Sequence, residues 1–474
     1  MAGHAACESA PPLARRFVRR ARAVLRLRGG GCSGSKPDAP SIQDLDSLAA
    51  GNPDRDRYTN PKSIWAALAT GHVGLVKASY LIKLADEGGV LSRRQELPPE
   101  AFVSVKELKA LVGKGNEDEV LPVIAISFCW DTAPHPDPSG KQLATVAAAL
   151  KKEMVKYKRA GGIFKGFSEM GVFWDWASIY QKDPTLFDES ETPNAKPEGP
   201  ERDAFIAGLK AEPSTNFYGG EAYDKSRTPD EIEGFRYALH QTMDLWYAHQ
   251  GTAVYMLTQL PDGSARKVGY ADSGWTTYER CSAEQIKKFS LLAVQWKLVL
   301  DLGVGADQER QRAWPVGPDD FDTLVEEKVF TNGSDLGAVK TLYRKMSIAQ
   351  LGGIEELDFD GMPPPSIEEA RRLGGCLTLC DRLKDLWLSE TCMSDEACVA
   401  LFRCIGGGAL PELEKLYLYT NQIGDAGCAA LAEALGSGAM PKLKELYITG
   451  NQIGDAAKQQ LKAACLPGEI TLND

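Results

Sequence analysis

No stretch of the 474-residue chain approaches the ~20 consecutive apolar residues of a membrane-spanning helix, and no unbroken apolar run near the start resembles a secretory signal. A basic surplus is missing too. The formal net charge is −11, which argues against a general nucleic-acid binder, because phosphate recognition needs a basic surface. Cys376 and Cys380 lack the partners and spacing of a zinc site, so no metal is expected. The eleven cysteines, an odd number without a signal, read as reduced thiols of a cytoplasmic protein, most of them small core residues.

The length suits two or three domains rather than one core. Charge is unevenly placed along it. Residues 1–35 carry seven Arg against one acid, about +6, which leaves about −17 for the remainder. Residues 1–55, rich in Ala, Gly, Pro, Ser and Arg, read as a disordered basic tail. Organelle targeting is the alternative for the Arg-rich residues 14–28. Residues 56–118 read as a helical lead-in with Ile64, Leu68, Val73, Val76, Leu81 and Leu84 apolar.

Residues 123–131 run Val-Ile-Ala-Ile-Ser-Phe-Cys-Trp-Asp. A short unbroken apolar run suits a strand buried on both faces of a parallel sheet. Its polar edge, Ser127 to Asp131, stands where α/β proteins place ligands. Asp137 and Pro138 are placed to start a helix with Leu143, Val146, Leu150 and Met154 buried. Residues 171–180 read as a second strand and 183–227 as a long surface insertion. Thr228, Pro229 and Glu231 form a capping box opening a helix with Ile232, Phe235, Leu239, Met243 and Trp246 buried. Residues 252–260 read as a third strand, followed by a helix from about 270 to 300. This alternation predicts an α/β domain over 119–300 with a parallel sheet. Residues 301–350 are a connector.

From residue 351 to 474 the chain repeats. Leu383-x-x-Leu-x-Leu388, Leu413-x-x-Leu-x-Leu418 and Leu443-x-x-Leu-x-Ile448 recur every 30 residues, with Ile354-x-x-Leu-x-Phe359 as a looser copy. Asn-Gln-Ile-Gly-Asp at 421–425 returns at 451–455, while Thr391 stands where the first full unit would have Asn. The pattern resembles ribonuclease-inhibitor-type leucine-rich repeats and predicts a short arc. The middle residue of each Leu-x-Leu points away from the core, so Trp387, Tyr417 and Tyr447, extended by Tyr419, are expected to form an aromatic column on the concave face for a protein partner.

Four segments of the α/β region together resemble the fungal heterokaryon-incompatibility (HET) domain. They are Ala-Ile-Ser-Phe-Cys-Trp at 125–130, Phe-Trp-Asp-Trp-Ala-Ser-Ile-Tyr-Gln at 173–181, the helix–strand unit over 235–257, and Gly-Trp-Thr-Thr-Tyr-Glu at 274–279. Ser273, Trp275 and Glu279 also meet the Ser-x-Trp-x-x-x-Glu motif of the related TIR domain. The resemblance implies a TIR/flavodoxin-like parallel sheet. It also implies hydrolysis of the NAD glycosidic bond with Glu279 as the catalytic carboxylate, which would stabilise an oxocarbenium-like ribose. NAD would then be a substrate, with no cofactor required. At i and i+4, Trp275 would wall the pocket beside Glu279. Trp130, Asp131 and Asp175 would line it, and the acids would reach the ribose hydroxyls. Cys129 near His135 raises a thiol nucleophile, against which core packing of Cys129 is favoured.

The expected protein is therefore an intracellular signalling or interaction protein whose repeats bind a protein partner and whose TIR/HET-like domain responds. Self-association is a further option. An NAD glycohydrolase and a scaffold without catalysis are the competing readings.

Overall fold

The computed structural model describes residues 56–473 apart from 113–119, 160–166, 193–194, 197–198, 212–217, 265, 290–296, 304–311, 331–334 and 466–469. The tail over 1–55 lies outside the described residues. One sheet contains β1 (Val76–Lys77), β2 (Val123–Phe128), β3 (Gly171–Phe173), β4 (Ala253–Leu257) and β5 (Val299–Asp301), in the order β1-β3-β2-β4-β5. β2 is parallel to β3 and β4, β4 is parallel to β5, and β1 closes the far edge antiparallel to β3. A second sheet runs β6 (Glu356–Asp358), β7 (Asp385–Trp387), β8 (Lys415–Tyr417), β9 (Glu445–Tyr447) and β10 (Thr471–Asn473), all neighbours parallel. No helix among the described residues is long and apolar enough to cross a membrane.

β2 is buried along its whole length and is the middle strand of its sheet. Its residues alternate between two cores, as a pleated strand requires. Ile124, Ile126 and Phe128 pack with Leu143, Val146 and Leu150 of the Lys141–Arg159 helix. Val123, Ala125 and Cys129 face the other way, toward Leu245, Trp246 and Tyr278. Asp137 Oδ2 accepts the Leu143 backbone N–H at 2.8 Å, so it caps the first turn from upstream, and Pro138 lies before the helix. The Thr228–Glu231 capping box forms as expected at the start of the Pro229–Tyr237 helix.

Several elements differ from the sequence reading. The lead-in supplies a strand, β1, as well as helices. β3 ends at Phe173, and Asp175–Ser178 turns into a helix. The cause is local: Asp175 Oδ1 accepts the Trp176 N–H at 2.7 Å and Ser178 Oγ accepts the Trp174 N–H at 3.0 Å, so side chains take the donors a continued strand would offer. The 183–227 insertion contains a helix, Pro200–Ala211. The helix expected from 270 to 300 stops at Ala283, and β5 stands at its far end. Apolar runs of that length fit either structure, and burial decides between them.

The second core continues without a break through Phe321, Val339 and Tyr343 into Leu386, Leu416 and Leu446 of the repeats. The Asp335–Gly353 helix carries this continuity. Within the repeats, Asn421 acts as a backbone bracket. Its Oδ1 accepts the N–H groups of Thr391 (3.1 Å) and Met393 (3.0 Å) and the Thr391 hydroxyl (2.9 Å), and its Nδ2 donates to Leu388 O and Leu418 O. Thr391 thus leans on the next repeat's Asn instead of supplying its own. Asn421→Ala strands these buried groups and is expected to cost about 3 kcal/mol in urea denaturation. A loss below about 1 kcal/mol would mean that water replaces the amide.

Candidate functional site

The chain leaves β2 for β3 on one side, and the next crossover runs from β3 back past β2 to β4 on the other, so the direction of winding reverses at β2. The crevice beyond the C-terminal end of β2 is where open α/β sheets hold ligands. Ser127 lies there, fully buried, on the same strand face as Val123 and Ala125. Its hydroxyl donates to Glu279 Oε2 at 2.7 Å and lies 2.6 Å from the Tyr270 hydroxyl. The Tyr247 hydroxyl donates to Ile126 O at 3.2 Å and is a further hydrogen-bonding neighbour of the Glu279 carboxyl. Tyr247 reaches this point because a π-helical turn, Ala238–Thr242, rephases the helix that leads into Met243–Ala248.

Glu279 is half-buried, yet burial pushes its pKa up to about 8, against the hydrogen bond from Ser127 and with help from the negative charge of Asp175. Asp175 is pushed up to about 6 by burial, although the Trp130 indole N–H donates to it at 2.8 Å and the Trp176 backbone N–H also binds it. The two acids lie near enough for each to act on the other's charge. No lysine or arginine is ion-paired with Glu279 among the described residues; the neighbouring Arg280 lies 4.0 Å from Glu284 instead.

The other expected residues divide. Trp130 joins the site through Asp175 and packs edge-on against Trp176, 5.5 Å between centroids. Asp131 sits at the rim, bonded by the Ser264 hydroxyl, and Arg266 donates to Trp130 O at 3.0 Å beside it. Trp275 is a correction. Its indole donates to Asp335 Oδ2 at 2.9 Å and its ring packs on Tyr278, away from Glu279. The Gly274–Ala283 helix is buried on most sides, so sharing an i, i+4 stripe does not bring two residues to one cavity. Cys129 is buried, with burial raising its thiol pKa. His135 spends itself on Trp176 and on the Asp137 N–H, so no Cys–His pair forms. Ser127, Tyr247 and Tyr270 were missed. The available signal was Ser127 itself, a hydroxyl on the inward parity of a buried strand.

On the repeats, Trp387, Tyr417 and Tyr447 stand in register on β7, β8 and β9, with rings stacked at 3.6 and 4.6 Å. The column differs from the expectation in two ways. Tyr417, sandwiched by its neighbours, keeps only 9% exposure, and its hydroxyl pKa is pushed up to about 12 by burial. Tyr419 does not extend the stack; it turns to Asp360, 3.4 Å from its hydroxyl. Lys415 and Glu445 border the column 3.9 Å apart.

Comparison with known proteins supports the repeat half. A family model described as "Leucine Rich repeat" matches residues 411–432 and 439–457. No curated protein matches the chain. Among solved structures, one described as "Leiomodin-1 Actin-Binding Site 2 (ABS2)" is 20% identical over 25% of this chain and 68% of its own, with a TM-score of 0.22. These findings carry no TIR or HET match. The chain thus carries leucine-rich repeats over these residues, and they point to a protein-interaction role.

Proposed function

We propose that this chain is an interaction protein whose repeats grip a protein partner along the concave face and whose TIR- or HET-like α/β unit couples that binding to a response. The observation that supports it best is the in-register aromatic row, whose end members Trp387 and Tyr447 remain partly exposed. Aromatic anchors of this kind commonly dominate interface energies. Stacking separates two effects. Tyr447→Ala, at the end of the row, is expected to lower partner binding by more than about 1 kcal/mol while stability changes little. Tyr417→Ala, in the middle, is expected to cost about 2 kcal/mol of stability as well. Quantitative capture on immobilised wild-type and Tyr447→Ala chains, with melting curves for both, tests this. Retention of the same proteins by both chains sinks the reading.

A second reading, hydrolysis of the NAD glycosidic bond, is favoured by Glu279, a carboxyl bonded by Ser127, near Asp175, and with no ion-pair partner among the described residues. The order of the parallel strands, 2-1-3-4 when numbered along the chain, is the one flavodoxin-like sheets use and is consistent with the TIR/HET resemblance. Fold likeness is not chemistry, so the weight rests on the carboxyl. Purified chain incubated with NAD is expected to release nicotinamide. No release above a no-protein control over a day removes this reading and leaves the first untouched.

A further inference from the structure

The concave face is acidic around its aromatic row. In register along the first positions of the strands stand Glu356, Asp385, Lys415 and Glu445, and along the third positions Asp358 precedes Trp387. Within these rows Lys415 is the one cation, and Lys288 reaches Glu356 from outside them at 3.0 Å, which leaves Asp358, Asp385 and Glu445 as the surplus acids. The crowding shows in the acids themselves. Asp385 titrates high because it is desolvated and because Glu356, Glu414 and Glu445 lie near it, and Asp358 titrates high through burial. Acids flanking stacked rings make a surface suited to guanidinium groups, which pair with carboxylates and lie over aromatic faces.

The described chain begins beside this face. Asp56 accepts from Arg382 at 3.0 Å, and Arg382 also binds Glu355, the residue before β6. Arg57 and Tyr58 are then pinned to Asp244. Asp56, Glu355, Glu356 and Arg382 line a cavity of about 610 Å³ at this junction. Upstream, all seven Arg of residues 1–35 fall within 14–28, interleaved with Phe17, Val18, Leu25 and Leu27. The chain between Arg28 and Asp56 spans at most roughly 90 Å when extended, enough to lay that segment across the repeat strands. Tethering makes such an encounter intramolecular and raises its effective concentration to the millimolar range for a short linker, about what a weak electrostatic contact needs.

We propose that the acidic, aromatic concave face is occupied by the chain's own arginine-rich segment, residues 14–28. The segment then competes with the partner for the same surface. This rests on the reading of that face as a docking surface. Charge and reach select the occupant: the segment brings positive charge to a face short of it, and it is attached at the edge of that face.

The test uses the full chain and a fluorescein-labelled synthetic peptide of residues 14–28. In a chain whose seven Arg at 14–28 are replaced by Gln, the face is vacated, and the peptide is expected to bind saturably, one per chain. Binding should weaken at least tenfold on Asp358→Asn with Asp385→Asn, and equally on Glu356→Lys at the exposed rim, with melting curves confirming folded variants. It should also weaken as salt is raised. The wild-type chain, already occupied, should take the peptide at least tenfold more weakly. Equal affinity for the wild-type and Gln-substituted chains overturns the internal occupancy. Binding that ignores the acid substitutions overturns the site. If the peptide fails while Tyr447→Ala still releases captured proteins, this inference falls and the docking reading stands.

Discussion

On the hydrolase reading, Glu279→Gln is expected to lower nicotinamide release by roughly 10²–10³-fold or more, and on either reading to make the protein more stable at alkaline pH. The two effects have one origin. The carboxyl is wrapped by protein and has no cation beside it among the described residues, so burial raises its pKa to about 8. A group whose pKa rises on folding contributes stability in full below its unfolded value near 4.5, and that contribution is lost as pH rises through about 8. Glutamine keeps the shape and the Ser127 contact but cannot ionise. The stability difference between variant and wild type should therefore grow between pH 5 and pH 9, by on the order of 2 kcal/mol. NAD carries a cationic nicotinamide ring, and a nearby positive charge favours the ionised carboxylate. If the hydrolase reading holds, the free protein must give up that proton, so kcat/KM should rise with pH up to about 8. Thermal melts of both proteins from pH 5 to 9 and a pH–rate profile check this. Parallel stability curves would show that Glu279 titrates as an ordinary surface acid, and an active Gln variant would end its catalytic assignment.

Lys287→Met should cost about 3 kcal/mol, near the top of the range for a single substitution. Lys287 is fully buried, and no carboxylate among the described residues is ion-paired with it. Its Nζ donates to His249 O, to Thr252 O at 2.7 Å and to Thr252 Oγ1 at 2.9 Å. Burial, with Arg312 nearby, depresses its pKa, while three oxygens offer what an ammonium needs. These acceptors follow the Met243–Ala248 helix, so the lysine closes the helix end that positions Tyr247. Gln350 completes the cap from the repeat side, donating to Ala248 O at 2.6 Å. Methionine fills the same space and leaves the carbonyls without a donor. Combined with Gln350→Leu, the double variant should depart from additivity by more than about 0.5 kcal/mol, because both side chains cap one helix end. Urea titrations of the two single variants and the double variant measure it. A Lys287→Met chain as stable as the wild type would mean that water reaches those carbonyls.

What the residues announced was what local rules govern. The apolar run at 123–128 could only be a buried strand in a chain alternating as this one does. The 30-residue spacing fixed β7, β8 and β9 in register, and with them the aromatic row. Thr228 to Glu231 spelled its own cap. The candidate site was half legible: Trp130 bonds Asp175, whose charge reaches Glu279, but Trp275 turns toward Asp335 because a helix enclosed on most sides has no single inward stripe. Tyr247 was hidden by the π turn at Ala238–Thr242, which shifts the helical phase in a way no 3.6-residue count contains. β1 and β5, at two and three residues, are too short to show a period, and only their neighbours make them strands.

The unbroken core through the Asp335–Gly353 helix has a consequence for how such a chain can change over time. Solenoids expose an apolar flank at each end and ordinarily close it with a dedicated capping unit. Here the α/β unit closes the flank next to β6, so the array has no independent start. Copies of the 30-residue unit can be gained or lost beyond β8 by duplication, since each new strand meets a neighbour of its own kind. At the β6 end the register is locked to a different fold, and an added unit there would have to displace it. The array is a ruler that can lengthen in one direction only.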